Sequence, residues 1–464
     1  MPDGPTPDDR LKRSLSRSFR LPRGRYRRLA GWLDSTTGGS SLIRTELRHI
    51  FPDDWSFFLG EIGLYCFIIL IATGVYMAMF FKAAVAPTVY TGRYQPLHGT
   101  VVSQAYDSVL RLSFDVRAGL VVRQVHHWAA LVFAAALVLH LFRMFFTGAY
   151  RRPRRLNWLL GLTMLMLVVV NGVFGYSLPD DLLSGTGLRI AYSITESVPL
   201  VGPNLASLLF GGDFPTSSLI PRIYVLHILL VPGAIAGLLG AHLGLLWVQR
   251  HTQYRGRKRS DRVIVGTPLV PAYALRTTGF MLLLAGMLTA MAGLVQINPV
   301  WLYGPYKAWN ATSFAQPDWY TGWLEGAVRM WPSSDIHIGS YVLPGLFWPA
   351  AVLPGLVAGF LYSWPWLDAL VTRDDDLHNV LQAPRDRPGR TAIGFGLITF
   401  LVMLLIAGGD DVYAVTFHWS LPTVLAVMQG LTLGLPFVVG FLAWAVYRRR
   451  HAAVAPVVVK EISI

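Results

Sequence analysis

One cysteine, Cys66, stands in a chain of 464 residues. That scarcity excludes an intrachain disulfide, a cysteine-ligated iron–sulfur cluster and a CxxCH site for covalent haem. Charge is scarce too, at 14% of residues, where soluble domains average about a quarter. With 53% of residues hydrophobic, the composition is that of a membrane protein. Acid is the scarcer sign, 26 residues against 40 Lys and Arg, for a net charge of +14. In a soluble protein that excess would raise nucleic acid as a partner. The placement of the cations argues otherwise, and no nucleic-acid partner is expected.

Long apolar runs abound. Eight of them approach the ~20 residues that a helix rising about 1.5 Å per residue needs to cross a bilayer. They cover approximately 57–81, 125–146, 157–178, 223–248, 277–297, 342–361, 392–408 and 421–447. The expected fold is therefore an all-α integral membrane protein with eight transmembrane helices, bathed in lipid. Lys and Arg crowd the run from Arg10 to Arg28, the second-to-third connection (Arg151, Arg152, Arg154, Arg155), the fourth-to-fifth (Arg250 to Arg262) and the end (Arg448 to Arg450). The seventh-to-eighth connection around Asp410 and Asp411 has none. By the positive-inside rule both termini belong in the cytoplasm of a cell-membrane protein. No short apolar core precedes a cleavage-like site, so the first run is expected to stay as an anchor.

These features divide the chain. Residues 1–50 read as a basic cytoplasmic arm with an interfacial helix nearer His49. Residues 51–255 form an N-terminal four-helix bundle, 256–275 a cytoplasmic linker, 276–450 a C-terminal four-helix region and 451–464 a tail. The outer connection 298–341 is rich in Trp and Tyr, as interfaces are.

Histidine carries the chemistry. His126 and His140 lie in the second run, separated by about 1400° of helix, roughly 40° short of four turns. His227 and His242 lie in the fourth, separated by about 1500°, roughly 60° past four turns. Each pair shares a face and spans roughly 21 to 22 Å of its axis. The two helices enter from the same side, so they run parallel, and His126 meets His227 while His140 meets His242. Two bis-imidazole haem sites at different depths follow, both axial positions being filled as electron transfer requires. The plainer alternative is hydrogen bonding between helices, as polar residues in membranes often do.

Glycine supports the haem reading. Gly60 and Gly74 in the first run, and Gly161 and Gly175 in the third, repeat the 14-residue spacing of His126 and His140. Lacking Cβ, they let a flat macrocycle come close, although glycine is common in membrane helices anyway. Arg123 and Arg143 each sit one turn from a histidine on the water side, placed either to pair with haem propionates or to snorkel. His127, about 100° from His126, is not expected to be a ligand.

The string from Arg123 through His126 and His140 to Arg143, the glycine pairs, GYSLPDD at Gly175 to Asp181 and PDWY at Pro317 to Tyr320 resemble cytochrome b of the cytochrome bc complexes, respiratory complex III. The resemblance covers nearly all of the chain after residue 45. It is nearest the actinobacterial form, in which a QPDWY-like motif precedes an acidic, Trp-rich segment like WLEGAVRMWP. It implies two haems b (protohaem IX), one held by His126 and His227 at low potential near the outer face, the other by His140 and His242 at high potential near the cytoplasm. It further implies quinol oxidation in an outer pocket walled by Pro317, Asp318, Trp319 and Tyr320, with Tyr176 and Pro179 opposite. There Asp318 takes a quinol proton with Tyr320 nearby.

The implied partners are a Rieske iron–sulfur protein, a cytochrome c subunit, a second copy in a homodimer and a supercomplex with a terminal oxidase. The implied substrate is menaquinol, oxidised by a quinol:cytochrome c reductase that contributes to proton translocation. Several details depart from the pattern. Asp318 replaces the usual Glu, the spacing from His227 to His242 follows the photosynthetic relatives, and the chain stops sooner than many actinobacterial members. The quinone-reduction pocket is placed only near His251 and the start of the chain. Two competing readings are a haem b anchor linking a hydrogenase or formate dehydrogenase to quinone, and a transporter using midplane histidines. The first lacks PDWY and the last four crossings, and the second would bind no haem.

Overall fold

A computed structural model describes residues 31–32, 49–310, 316–332 and 334–454, with side chains to Arg449. The basic arm and interfacial helix expected before His49, and the last residues of the tail, fall outside them. Among the described residues, eight helices are long and apolar enough to cross a membrane. In chain order with the shorter helices, they begin with α1 (Trp55–Ala78), α2 (Gln104–Phe114), α3 (Gly119–Thr147) and α4 (Arg155–Ser177). Next come α5 (Leu182–Glu196), α6 (Gly202–Phe210), α7 (Leu219–Gln249) and α8 (Ala274–Leu294). The last are α9 (Trp319–Met330), α10 (Trp348–Thr372), α11 (Pro388–Ala407), α12 (Asp410–Phe417) and α13 (Leu421–Val454). Of these α2, α5, α6, α9 and α12 are the short ones.

The chain divides into two compact units. One gathers the described residues up to Phe51 with Gly266–Arg276. There Ile50–Phe51 pairs antiparallel with Thr267–Pro268, and Phe51 stacks on Tyr273 at 4.5 Å. The other unit holds the remainder. In it α1 packs on α3, α4 on α7, and α11 on both α9 and α13. Its largest apolar cluster draws Tyr65 and Cys66 from α1, Ala129 and Phe133 from α3, Val168 from α4, Val231 and Ile235 from α7, and Leu284 and Leu288 from α8. Apolar residues also cover the outside: Val75, Leu229, Leu282 and Phe437 are all exposed. A hydrocarbon solvent would surround such a surface, since helices leave no unpaired backbone there.

Several boundaries differ from the sequence reading. The second span starts at Gly119, before 125. Polar Gln124 is admitted because Ile297 bonds it twice through the backbone, its Nε2 donating to Ile297 O at 2.8 Å and its Oε1 accepting from Ile297 N at 2.9 Å. The sixth span runs to Thr372, beyond the expected 361, while its first residues instead form a hairpin between Ile336–Ile338 and Tyr341–Leu343. Pro365 reads as a breaker in sequence. Within α10, though, it is buried beside Trp364, whose ring packs on Phe145 and Phe360, and this packing outweighs one missing N–H.

Candidate functional site

The four histidines occupy facing helices of one bundle. His126 and His140 lie on α3, His227 and His242 on α7. The rings of His126 and His227 face each other with centroids 6.2 Å apart at 67°. That separation leaves room for one metal ion bonded to a nitrogen of each ring at about 2 Å. The extra residue between His227 and His242 is absorbed locally. Around Leu226–Leu230 the helix widens into a π turn, Val231 N–H reaching back to Leu226 O. A π turn takes in one residue more than an α turn, which offsets the angular overshoot expected from the spacing. Pro232, lacking an N–H, cannot close the α-type bond back to Ile228, and it is the sequence signal for the widening.

Each predicted glycine stands against one histidine. A Cβ built on Gly60 would lie 3.4 Å from His140 Cε1, one on Gly74 3.4 Å from His126 Cε1, and one on Gly161 3.6 Å from His242 Cε1. At Gly175 a Cβ would collide with the His227 ring. Two residues that sequence reasoning missed hold the first histidine pair. Thr73 Oγ1 lies 2.9 Å from His126 Nδ1, and the Asn171 carbonyl accepts from His227 Nδ1 at 2.9 Å. With Nδ1 engaged, Nε2 is the nitrogen left to meet a metal. At the second pair His140 Nδ1 is buried without a partner, and His242 Nδ1 faces the Asn157 carbonyl without closing a hydrogen bond of ordinary geometry. Buried imidazoles so placed, with glycine behind each, fit a flat bis-histidine cofactor.

Arg123 is buried and Arg143 half-buried near these rings. Arg123 donates to Asn298 O at 3.0 Å and lies over the Trp301 ring at 5.5 Å. Arg143 reaches Thr252 Oγ1 at 3.3 Å and lies 3.9 Å from the Phe57 ring centroid. Each keeps a buried Nε without a partner.

PDWY comes to the same end of the bundle as the first pair. Asp318 is the residue before α9, and its carboxylate has two side-chain partners. Tyr320 O–H donates to Oδ2 at 3.0 Å, and His127 Nε2 stands 3.1 Å from Oδ1. His127 thus meets PDWY on a face of α3 other than that of His126. Its signal, readable only afterwards, is the His-His pair at the outer end of a predicted span. The Tyr320 phenol presses against Gly172 of α4, where a Cβ would collide with it, one turn before Tyr176. Burial, together with the Asp318 charge, holds the Tyr320 hydroxyl protonated well above its ordinary range. Pro317 and Asp318 are half-buried, Trp319 is exposed, and Pro179 is buried just beyond Tyr176.

Flanking pieces fix this geometry. In α9, Gly322 and Gly326 allow close approach to Leu404 and Leu405 of α11. Arg329 ties the same helix to α12, bonding Glu325 at 2.7 Å and Asp410 at 2.6 Å. Burial raises the Glu325 carboxyl above its usual range against the pull of Arg329. After Tyr176 the chain turns at Asp180, in the left-handed region at φ 57°, which Asp tolerates better than most residues. Asp181 then caps α5, accepting from Leu183 N at 3.1 Å and Ser184 Oγ at 2.7 Å. Tyr306 N–H donates to Asp180 O at 3.0 Å, tying the turn to the segment that follows α8. Burial pushes the carboxyls of Asp180 and Asp181 up to about 6 each.

Comparison with known proteins now decides the family. Residues 131–305 match the family described as "Cytochrome b(N-terminal)/b6/petB". The cytochrome bc1 complex cytochrome b subunit of Corynebacterium diphtheriae is 44% identical over 89% of this chain and 76% of its own length. That of Mycobacterium tuberculosis H37Rv is 48% identical over 88% and 74%, and that of Streptomyces coelicolor 45% over 85% and 72%. This chain belongs to the family of cytochrome bc1 complex cytochrome b subunits. A solved hyperthermophilic respiratory complex III shares the fold, with TM-score 0.66 at 18% identity over 90% of this chain and 99% of that one. As a cytochrome b, the protein is a multi-pass membrane member of a haem-bearing electron-transport family, and the hydrogenase-anchor and transporter readings are set aside.

Proposed function

We propose that this cytochrome b is the dihaem, quinol-oxidising subunit of a quinol:cytochrome c oxidoreductase. The observation that carries the reading is the fourfold match of one glycine to one histidine across α1 with α3 and α4 with α7. His126 and His227 would hold one haem b, His140 and His242 the other, within the bundle of residues 51–255, with Arg123 and Arg143 near the propionates. When bound, the two haems would carry one quinol electron across the membrane towards a cytoplasmic quinone, while the other electron leaves to a Rieske iron–sulfur protein.

The chain's own residues manage the proton and the substrate. Quinol, menaquinol in this reading, enters between PDWY in the C-terminal region and the Tyr176–Pro179 wall. The Asp318 carboxylate, one methylene shorter than Glu, accepts a hydroxyl proton while Tyr320 and His127 fix its rotamer. Both termini lie in the cytoplasm, so protons are released outside. The outer segments dock the Rieske protein and a cytochrome c subunit, and the assembly is a homodimer able to join a terminal oxidase. The test is a pyridine haemochrome assay on the purified complex. Two protohaems per chain are expected, and none in a folded preparation would overturn the reading.

A further inference from the structure

Beside the end of α1 nearer Gly74 lies a cavity of about 270 Å³, roughly nine waters' share of volume. It opens between that helix end and α2, lined by Phe80, Lys82, Arg111, Leu112, Asp115 and Val116. Backbone contacts draw the two helices together there. Lys82 N–H donates to Ser108 Oγ at 3.1 Å, and that hydroxyl donates to Ala105 O at 2.8 Å. Tyr76 O–H donates to Arg117 O at 3.2 Å, and the Tyr76 and Phe80 rings pack with centroids 5.2 Å apart. Aromatic rings at such a helix end mark the boundary between hydrocarbon and headgroups.

Charge around the cavity is not balanced locally. Arg111 is engaged on its own helix: Nε lies 2.9 Å from Asp107 Oδ2, Nη1 lies 3.6 Å from Asp115 Oδ2, and Nη2 donates to the Thr91 hydroxyl at 2.9 Å. Asp115 Oδ1 also accepts from Arg93 N at 3.0 Å. Both carboxylates thus have partners. Lys82 is exposed, and its ammonium has no partner among the described residues. Leading away from the cavity, Ile68, Ile71, Val75 and Met79 are all exposed. Steps of three and four residues put them on one stripe of α1. From Ile68 to Met79 that stripe covers roughly 16 Å at about 1.5 Å per residue, about half of a bilayer core near 30 Å.

An apolar stripe one leaflet deep that ends at a cavity with one unmatched cation has the shape and charge of a phospholipid. We infer that this corner seats one anionic phospholipid of the phosphatidylglycerol type, with its phosphodiester beside Lys82 and an acyl chain along Ile68 to Met79. Phe80, Leu112 and Val116 cover the glycerol backbone. A single phosphate neutralises the single unmatched charge. A choline or ethanolamine headgroup would instead bring a second cation to carboxylates that Arg111 already engages, so the zwitterionic lipids fit less well.

The test uses the purified complex in detergent and a phosphatidylglycerol carrying a photoreactive diazirine close to its glycerol. After illumination, labelled peptides are identified by mass spectrometry. Label is expected within residues 76–82 and 111–117, suppressed by excess unlabelled phosphatidylglycerol but not by phosphatidylcholine or inorganic phosphate. Lys82→Gln should lower labelling about fivefold, since one basic side chain beside an anionic headgroup is worth about 1 kcal/mol, and Lys82→Arg should restore it. Val116→Trp, which fills the cavity with Lys82 intact, should abolish the label. Unchanged labelling in Lys82→Gln, or equal suppression by phosphatidylcholine, overturns the proposal. Label confined to another subunit of the complex would mean that protein covers this corner, and overturns it too.

Discussion

The two histidine pairs of this cytochrome b share a design and differ in how completely the protein finishes it. At the His126–His227 pair, the outer one in the proposed orientation, both Nδ1 atoms have protein partners, Thr73 and Asn171, and Gly175 leaves no space for a Cβ against His227. At the inner pair Nδ1 of His140 is buried without a partner, and the glycines leave ordinary van der Waals distances. Fixing Nδ1 fixes which ring nitrogen points inward. The outer site is therefore set by the polypeptide itself, whereas the inner site relies more on what it binds. In the proposed reading quinol chemistry is built onto that end, where Asp318 bonds His127, the immediate neighbour of ligand candidate His126.

Breaking the comparison outright needs ligand loss. His126→Leu should delete one b haem and spare the other, and His140→Leu should do the reverse, each read from the low-temperature α-band. Loss of both haems from either variant would show that the pairs are not independent. Asp318→Ala should leave both haems bound yet lower quinol oxidation by roughly 10² to 10⁴. Undiminished turnover in that variant would take the proton-accepting role from this carboxylate. Gly175→Ala should displace His227 at a cost of about 1–3 kcal/mol and lower haem occupancy, while Gly60→Ala stays near wild type. Equal occupancy in the two would contradict the tighter outer site.

A pH series sharpens the contrast at the outer turn. Asp180 and Asp181 have carboxyls raised to about 6, above an unfolded value near about 4. The folded turn therefore holds more protons within that window, so its stability falls as pH rises from about 4 to about 6 and levels off above. Hydrogen exchange at the Leu182 and Tyr306 amides, corrected for intrinsic rates, should lose protection over that range. Protection that climbs there would reverse the sign. The smallest effect belongs to Thr73→Val, which removes one hydrogen bond worth about 1 kcal/mol. It should shift the outer haem's midpoint slightly in a redox titration and leave the inner one unmoved; equal shifts would show that Thr73 does not act through His126.

Much of the site could be read along the chain because its spacing is periodic. His126 with His140, and Gly60 with Gly74, repeat over four helical turns, and that regularity needs no tertiary knowledge. The 15-residue step from His227 to His242 looked like an angular defect until the π turn before Pro232 accounted for it. His127 was set aside by its angle from His126, which was sound for ligation but silent about the other face, where Asp318 waits 191 residues away. Pro365, a local breaker, sits inside α10 in a buried, aromatic-packed position that only the fold supplies.

The sequence by itself determined that the chain lives in a membrane, crosses it eight times and carries two histidines on one face of each of two helices. Hydrophobic length and helical period are properties of neighbouring residues, so they survive without the fold. Only the tertiary structure decided which glycine backs which imidazole, that His127 and Tyr320 share the Asp318 carboxylate, and that Glu61 meets Thr277 from a helix 216 residues away. Those are meetings between distant segments, and their partners are chosen by how whole helices pack.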